Sequence, residues 1–367
     1  MPQLSQPVAP RLPIRSWLLT GLCAALVAVV AGCVSARKAA PKSYTFFPPA
    51  PDEPRVQFLA AFSSDLELGR SPSFTDYITG RPSGARPLVK PYGMALKDGK
   101  LYVCDTMTSS IQVFDLVRRR SRYFAPRGEG RIQTPINITI DADGTRYVTD
   151  TGRNQVLIFS KDEGYVGAIG TSGEMKPTDV AITPDRLYVA DVRGHAVRVY
   201  SKADRKLLFT IPRDPKAGKG GLYSPTNVAI DKQGRLLVSD LGGFAVQVYD
   251  LDGKYLRTIG QQGVAPGLFA RPKGVAVDRE GRAYVVDAST QVVQLFDPEG
   301  RLLMYFGQAG SSMEGELYLP AAVKVDYDSV GLFQKKAAPG FKIEYLVLVT
   351  SQFGAHKVSV YGFGSRK

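Results

Sequence analysis

Residues 225–260 read PTNVAIDKQGRLLVSDLGGFAVQVYDLDGKYLRTIG. Two of the breaks in this stretch, residues 231–234 (DKQG) and 250–253 (DLDG), begin with aspartate and end with glycine, which suits a tight turn that ends in a left-handed residue. Between the breaks lie four short apolar runs typical of strands, at residues 228–230, 236–238, 246–249 and 255–259. The stretch therefore predicts a four-stranded antiparallel meander.

The same unit recurs along the chain, and every copy opens with a proline. The spacing of 42 to 48 residues matches a four-stranded propeller blade and exceeds that of leucine-rich or hexapeptide solenoids. Five copies end their second strand in aspartate, and the sixth has Ser351 there. Because the aspartate recurs from blade to blade, we predict that each one bonds the turn that follows it. The copies open at Pro91, Pro135, Pro177, Pro225, Pro272 and Pro320, and their third strands end in Phe114, Phe159, Tyr200, Tyr249, Phe296 and Tyr361.

The repeat resembles that of the NHL family of six-bladed β-propellers. The resemblance covers about residues 54 to 367 and is carried by the entry proline and by runs such as VAVD (275–278), YVAD (188–191) and IQVF (111–114). It implies an all-β fold of six four-stranded antiparallel blades. Propellers host enzymes, scaffolds and nucleic-acid binders alike, so function has to be argued from sites.

Residues 56–62 (VQFLAAF) alternate like a strand but belong to no repeat, and the sixth repeat ends after its third strand. If residues 56–62 supply the outer strand of blade six, they close the ring and remove a free sheet edge. We therefore predict a propeller over residues 56–367 that is closed by its N-terminal strand.

Residues 1–32 have the features of a bacterial lipoprotein signal peptide. Arg11 and Arg15 precede an apolar run, and Gly32 stands directly before Cys33, the predicted site of lipidation. Residues 16–36 carry no charge, so a plain N-terminal membrane anchor is the alternative. The lipoprotein hypothesis places the protein outside the cytoplasm and attached to a membrane by lipid on Cys33, and Val34 after the cysteine favours the outer membrane.

Residues 33–55 are rich in proline and have no periodicity, so we expect a tether between the lipid and the propeller. Once Cys23 has left with the signal and Cys33 is lipidated, Cys104 has no cysteine to pair with, and no disulfide is expected. Cys104 stands at a strand position occupied by small residues in other repeats, which predicts a buried structural side chain.

The sequence contains no nucleophile elbow, zinc-binding helix motif, phosphate-binding glycine loop or paired-cysteine motif. Its two histidines, His195 and His356, each stand five residues before the last aromatic of a third strand, in blades that face each other across a six-fold ring. They are either an acid–base or ligand pair or ordinary turn residues.

Asn137, Asp179 and Asn227 each follow an entry proline by two. The side-chain oxygens of these three residues either cap local turns, in which case we expect no cofactor, or hold a calcium ion in the channel.

The formal net charge is +13, and the excess of cations is clustered. Two clusters lie on the loop that enters blade four (Arg213, Lys216, Lys219) and in an insertion of blade six (Lys335, Lys336, Lys342). Such patches attract acidic partners. The export signal argues against nucleic acid and favours an envelope protein, anionic lipid or polysaccharide, although a basic surface also serves simply to keep a protein soluble. The densest cluster is the basic patch of Arg118, Arg119, Arg120 and Arg122.

Two functions from different classes follow. The favoured hypothesis is a lipid-anchored, non-enzymatic scaffold of the cell envelope whose propeller binds another protein or an anionic component. The alternative is a hydrolase, lactonase or lyase with a metal in the central channel. In either case we expect one candidate binding face at the channel mouth, formed by Asn137, Arg153, Asp179, Arg193, His195, Asn227 and His356.

The anchor hypothesis predicts that Cys33→Ser abolishes lipidation and releases the protein from the membrane fraction. The physical reason is that only the Cys33 thiol is preceded by a small residue at a position that the processing pattern accepts. Metabolic labelling with a fatty acid, followed by membrane fractionation, measures both effects. Label on the Cys33→Ser protein would refute the hypothesis.

Overall fold

The structure of the protein is a computed structural model that describes residues 43–69, 78, 87–171, 173–214 and 218–366. The predicted signal peptide, Cys33 and Lys216 lie outside the described residues. Within these ranges, no helix is long and apolar enough to cross a membrane.

The described chain is almost entirely β-structure. Its one short helix is α1 (Val330–Phe333), and two 3-10 turns cover Gly128–Gly130 and Gln334–Lys336. The strands are β1 (Phe46–Phe47), β2 (Val56–Phe62), β3 (Pro91–Lys97), β4 (Lys100–Asp105), β5 (Ser110–Asp115), β6 (Arg120–Phe124), β7 (Pro135–Ile140), β8 (Arg146–Asp150), β9 (Gln155–Phe159), β10 (Tyr165–Ile169), β11 (Pro177–Ile182), β12 (Arg186–Asp191), β13 (Ala196–Ser201), β14 (Leu207–Ile211), β15 (Pro225–Ile230), β16 (Arg235–Asp240), β17 (Ala245–Asp250), β18 (Tyr255–Ile259), β19 (Pro272–Val277), β20 (Ala283–Asp287), β21 (Val292–Phe296), β22 (Leu302–Phe306), β23 (Gln308–Ala309), β24 (Glu316–Leu317), β25 (Pro320–Asp326), β26 (Phe341–Ser351) and β27 (Val358–Arg366).

These strands form six antiparallel blades, which confirms the predicted all-β, six-bladed propeller. Blades one to five are the meanders β3–β6, β7–β10, β11–β14, β15–β18 and β19–β22, and blade six is built on β25, β26 and β27. The first strand of each blade contacts the first strand of the next, and β25 contacts β3, so these inner strands surround a central channel. The turns at residues 231–234 and 250–253 lie where the sequence predicts them, with Gly234 and Gly253 at positive φ.

Strand β2 closes the ring as predicted. It pairs antiparallel with β27, from Val56 opposite Phe363 to Phe62 opposite Val358, and thereby supplies the fourth strand of blade six. The C-terminal and N-terminal parts of the propeller are thus joined by backbone hydrogen bonds within one sheet.

The predicted tether is wrong over its last twelve residues. Strand β1 pairs with β2, Phe46 packs edge-on against Phe341 at 5.4 Å, and Phe47 packs against Tyr361 at 6.3 Å. The compact unit that contains the propeller therefore begins at Tyr44 and not at Val56. The aromatic side chains explain the difference. Their burial against the propeller stabilises this segment in a packed position, although its prolines disfavour regular structure.

The core lies between the blades. Six clusters of buried side chains each combine residues from two neighbouring blades, and the last cluster joins blade six to blade one. Cys104 belongs to the cluster between blades one and two and is fully buried, as predicted, and burial raises the pKa of its thiol. The aromatic that ends each third strand is at most 3% exposed in all six blades: Phe114, Phe159, Tyr200, Tyr249, Phe296 and Tyr361.

The inner strands approach each other so closely that two blades require glycine beside the channel. A Cβ atom on Gly274 would lie 2.6 Å from the Cα atom of Ala322 in the next blade. A Cβ atom on Gly93 would lie 2.0 Å from Oδ1 of Asn137, whose side chain fills the space that Gly93 leaves. Contacts this short require the strands to separate, so side-chain size at these positions limits how tightly the ring closes.

Ring closure predicts a graded response to N-terminal truncation. A chain that begins at Tyr44 should melt like the full-length protein. A chain that begins at Val56 should melt several degrees lower, because it loses the apolar contacts of Tyr44, Phe46 and Phe47. A chain that begins at Ser63 should aggregate, because β27 then has a free edge. Thermal melts and light scattering measure these effects, and equal melting temperatures for all three chains would contradict the closure.

Candidate functional site

The antiparallel meander gives the propeller two different ends. The loops that enter each inner strand and the turns that join second to third strands lie at one end, here called the entry end. The remaining turns, which join first to second and third to fourth strands, lie at the far end. The predicted binding face belongs to the entry end, whereas the basic patch occupies the turn from β5 to β6 and the start of β6, at the far end.

The aspartates that end the second strands hold the entry end together. In blade two, Asp150 is fully buried and accepts hydrogen bonds from the backbone N–H groups of Gln133 (2.6 Å), Thr134 (2.9 Å), Gly152 (2.9 Å) and Arg153 (3.1 Å). The sequence predicts that each such aspartate bonds the turn that follows it. The structure confirms this for Asp150 and adds bonds to the loop that enters the same blade. Bonds to that loop recur at Asp105, Asp191, Asp240 and Asp287.

The two arginines of the predicted face are bound to this framework. Arg153 donates through Nη1 to the carbonyl of Arg131 (3.0 Å), and Arg193 donates through Nη1 to the carbonyl of Gly173 (2.8 Å). Arg198, which the sequence analysis did not select, forms an ion pair with the buried Asp191 at 2.7 Å. These guanidinium groups join turns to neighbouring loops, so less of their hydrogen-bonding capacity is left for a ligand than the sequence suggested.

Asn137, Asp179 and Asn227 lie at the start of adjacent inner strands, as predicted, and are almost fully buried. Asp179 accepts hydrogen bonds from the N–H groups of Val180 (2.8 Å) and Val228 (3.1 Å) and from Nδ2 of Asn227 (3.2 Å). Burial raises the pKa of Asp179, and the positive charge of Lys324 opposes that shift. The carboxylate thus links blade three to blade four.

The calcium hypothesis remains a prediction. The oxygen atoms of Asp179 and the Oδ1 atom of Asn137 already accept hydrogen bonds from backbone N–H groups. Within the described ranges, no group of three or more His, Cys, Asp or Glu side chains is arranged to hold a metal ion. An ion here would have to take most of its ligands from backbone carbonyls and water.

The two histidines have separate surroundings. The His195 Nδ1 atom contacts the carbonyl of Tyr223 on the loop that enters blade four, while the His356 ring lies 6.4 Å from that of Phe58 in blade six. His195 has a positive φ of 50°, and in the longer turn of blade six the positive φ falls on Gly354. The column that contains His195 is therefore a left-handed turn position, which is also filled by Ser109, Asn154, Phe244 and Gln291.

The sequence analysis missed Lys273, the residue after the entry proline of blade five. It is 6% exposed, and its Nζ atom lies 5.1 Å from the centre of the Tyr92 ring of blade one. Burial is the largest cause that lowers the pKa of Lys273 to about 8, and the positive charges of the nearby Arg271 and Lys90 contribute to the same shift. A lysine in a column that otherwise holds Tyr92, Ile136, Thr178, Thr226 and Ala321 was the signal that could have identified it.

The basic patch is exposed, as its sequence suggests. A cavity of about 370 Å³ is lined by Arg118, Arg120 and Arg122 together with Lys100 and Asp115. Arg118 lies 3.6 Å from the Asp115 carboxylate, and Arg122 donates to Glu163 of blade two at 2.9 Å.

The insertion of blade six extends the patch. Arg119 and Lys336 line one groove of about 160 Å³, together with Val117 and Leu332, which are 64% and 41% exposed. Residues more than 200 positions apart therefore form one surface at the far end of blades six and one. We call it the basic surface and define it as Lys100, Arg118, Arg119, Arg120, Arg122, Lys335 and Lys336.

The aspartate framework predicts that Asp150→Ala lowers the free energy of unfolding by about 3 kcal/mol or more, because four backbone N–H groups lose the buried carboxylate that accepts their hydrogen bonds. Denaturant unfolding followed by far-UV circular dichroism measures the change. The exposed Asp162→Ala serves as control and should change stability by less than about 0.5 kcal/mol. Equal stability of the two variants would show that Asp150 does not organise the entry end.

Comparison with known proteins shows the fold alone. No known family model matches the chain. Streptogramin B lyase is similar in structure with a TM-score of 0.52 and 14% identity, over 76% of this chain and 84% of the lyase. A protein of unknown function from Bacteroides thetaiotaomicron is similar with a TM-score of 0.59 and 16% identity, over 84% of this chain and 75% of that protein. These similarities support the six-bladed propeller fold, and the NHL assignment stays a prediction.

Proposed function

We propose that the protein is a lipid-anchored scaffold of the cell envelope that binds an acidic protein through its basic surface. The observation that carries the proposal is the union of two cationic segments, residues 118–122 and 335–336, in one exposed surface with grooves. The anchoring part rests on the signal sequence and Cys33. The NHL-type repeat fits this role, because such repeats build a rigid body on which binding loops are displayed.

The charge of the basic surface favours an acidic partner. Asp115 pairs with Arg118 and Glu163 pairs with Arg122, while Glu67 lines the groove of Arg119 and Lys336. Asp65 accepts a hydrogen bond from the backbone of Ser121 in the same region. These four described carboxylates are fewer than the seven cations of the basic surface, so its formal charge is positive. Since the side chains of the four arginines are exposed at a turn, long-range attraction would steer an acidic protein toward this end of the propeller.

The composition of the basic surface favours a protein over a lipid head group. Arginine is common among the residues that dominate protein interfaces, and it pairs with carboxylates through two parallel hydrogen bonds. Val117 and Leu332 add exposed apolar area beside Arg119 and Lys336. A mixture of arginine, apolar side chains and shallow grooves is typical of a protein-binding surface.

An enzyme of the lyase or hydrolase class is the second candidate. The observation in its favour is a cavity of about 540 Å³ at the entry end, lined by His195, Arg198, Thr210 and Tyr223, which is within the size range of small-molecule sites. The structural similarity to streptogramin B lyase is compatible with this function. Among the described residues that line this cavity, His195 is the one histidine, so a test of catalysis is direct: His195→Ala should abolish any activity that this cavity supports.

The scaffold proposal predicts that Arg118→Glu combined with Arg120→Glu weakens capture of the partner at least about tenfold, because attraction becomes repulsion. Capture by the tagged full-length protein from envelope extract, at low and high salt, measures the effect. Lys254→Glu is the matched control, since Lys254 is an exposed cation in the equivalent turn of blade four.

A captured protein that is acidic, is released by salt and is lost only with the double variant supports the proposal. Capture that is indifferent to the double variant overturns it. Cosedimentation with vesicles of anionic phospholipid is measured in parallel. Binding to vesicles that depends on Arg118 and Arg120, without a protein partner, would replace the protein with the membrane surface as the ligand.

A further inference from the structure

We propose that the entry end of the channel, between blades five, six and one, binds a compact anion, the carboxylate or phosphate group of a small ligand, on the ammonium group of Lys273. This site is separate from the basic surface, which lies at the far end. The inference goes beyond the scaffold proposal and does not depend on it.

The first observation is that Lys273 is a buried cation without an anionic partner. The side chain is 94% removed from solvent, and no described residue forms an ion pair or a hydrogen bond with its Nζ atom. Its recorded contact is the face of the Tyr92 ring at 5.1 Å. A buried charge is strongly unfavourable unless an opposite charge or several hydrogen bonds compensate it, and one aromatic ring supplies only part of that compensation.

The second observation is that the charges around Lys273 are also positive. Arg271 and Lys90 precede the entry prolines of blades five and one, and both lower the pKa of Lys273. Lys357 of blade six lies at the same end, where its Nζ atom donates to the carbonyls of Val89 (2.8 Å) and Gln352 (2.9 Å). Cations gathered around a buried ammonium repel one another, so an anion bound among them would relieve that repulsion.

The buried carboxylate of Asp179 at the channel is already used by other groups. The oxygen atoms of Asp179 accept hydrogen bonds from Val180, Val228 and Asn227, and the positive charge of Lys324 stabilises its ionised form. In the sequence outside the described ranges, Asp76 is the only acidic side chain. The internal alternatives to a bound anion are therefore reduced to one residue that can be mutated.

The third observation is that blade six, which lies between blades five and one, carries a small side chain at the matching position. Where blades five and one carry Arg271, Lys273, Lys90 and Tyr92, blade six carries apolar residues, with Ala321 in the column of Lys273. The small side chain of Ala321 allows the Lys273 ammonium and the Tyr92 ring to approach each other across the blade.

Aromatic rings at this end suggest the chemistry of the rest of the ligand, beyond its anionic group. Lys90 and Lys357 lie 5.6 Å and 5.9 Å from the centre of the Phe353 ring, and Phe353 packs at 6.1 Å against Tyr318. Both rings are 43% exposed. An anion with an aromatic or apolar body would place its charge on Lys273 and its body against these rings, so benzoate should bind more tightly than acetate.

Isothermal titration of the full-length protein in detergent with inorganic phosphate, acetate and benzoate tests the proposal. We expect at least one of these anions to bind with a dissociation constant below about 10 mM, and Lys273→Met to weaken that binding about tenfold or more, as expected for a lost charge-assisted hydrogen bond. Lys273→Arg should retain most of the affinity, and the exposed Lys254→Met should retain all of it. The relative affinities of phosphate and benzoate identify which anionic group the site prefers.

Selective acylation gives a readout that does not depend on the folding of a variant. Because its pKa is low, Lys273 should react with acetic anhydride at neutral pH wherever the reagent reaches it, and the bound anion should slow that reaction. Peptide mass spectrometry measures the rate at Lys273 with and without the anion. No binding below about 10 mM, equal affinity of the Lys273→Met protein, or binding that appears only after Asp76→Asn overturns the proposal, the last because Asp76 would then be the internal partner.

Discussion

Each blade of this propeller is apolar on both faces, and it can bury those faces only against the blade before it and the blade after it. The six core clusters show this directly, since every one of them combines side chains of two neighbouring blades. No blade has a core of its own, so a ring that failed to close would leave two apolar faces in water. The pairing of β2 with β27 therefore stabilises the whole ring, because it fixes blade six in the last open position.

Closure also crowds the channel, and the crowding determines which groups remain available for binding. Where the inner strands meet, Gly93 and Gly274 leave space that the neighbouring strand fills. The polar side chains that line the same level, such as Asp179 and Asn227, hydrogen-bond across the blade boundary. They stabilise the wall of the channel and are poorly placed to exchange these bonds for a ligand. Lys273 differs from them because the described chain offers its ammonium group no such bond.

The two ends of the propeller have different physical characters. At the entry end, aspartates such as Asp150 and arginines such as Arg153 tie loops and turns to one another, which makes this end rigid. At the far end, the arginines of residues 118–122 lie on an exposed turn and meet the insertion of blade six. A rigid entry end suits a small pre-formed anion site, whereas an exposed cationic turn suits a larger partner that is steered by charge.

The sequence by itself determined the number of blades, the order of strands and the closing strand, because each of these depends on local patterns that repeat: an entry proline, an aspartate, an aromatic and an alternation of period two. It also identified the left-handed turn positions and the buried Cys104. Only the tertiary structure decided where the propeller begins, since the packing of Phe46 and Phe47 depends on Phe341 and Tyr361, some 300 residues away. In the same way it revealed that Arg153 and Arg193 bond backbone carbonyls, that the basic segments of blades one and six share a surface, and that Lys273 faces a ring from a blade two positions away. Contacts between blades join residues that are distant in the chain, and no local pattern encodes them.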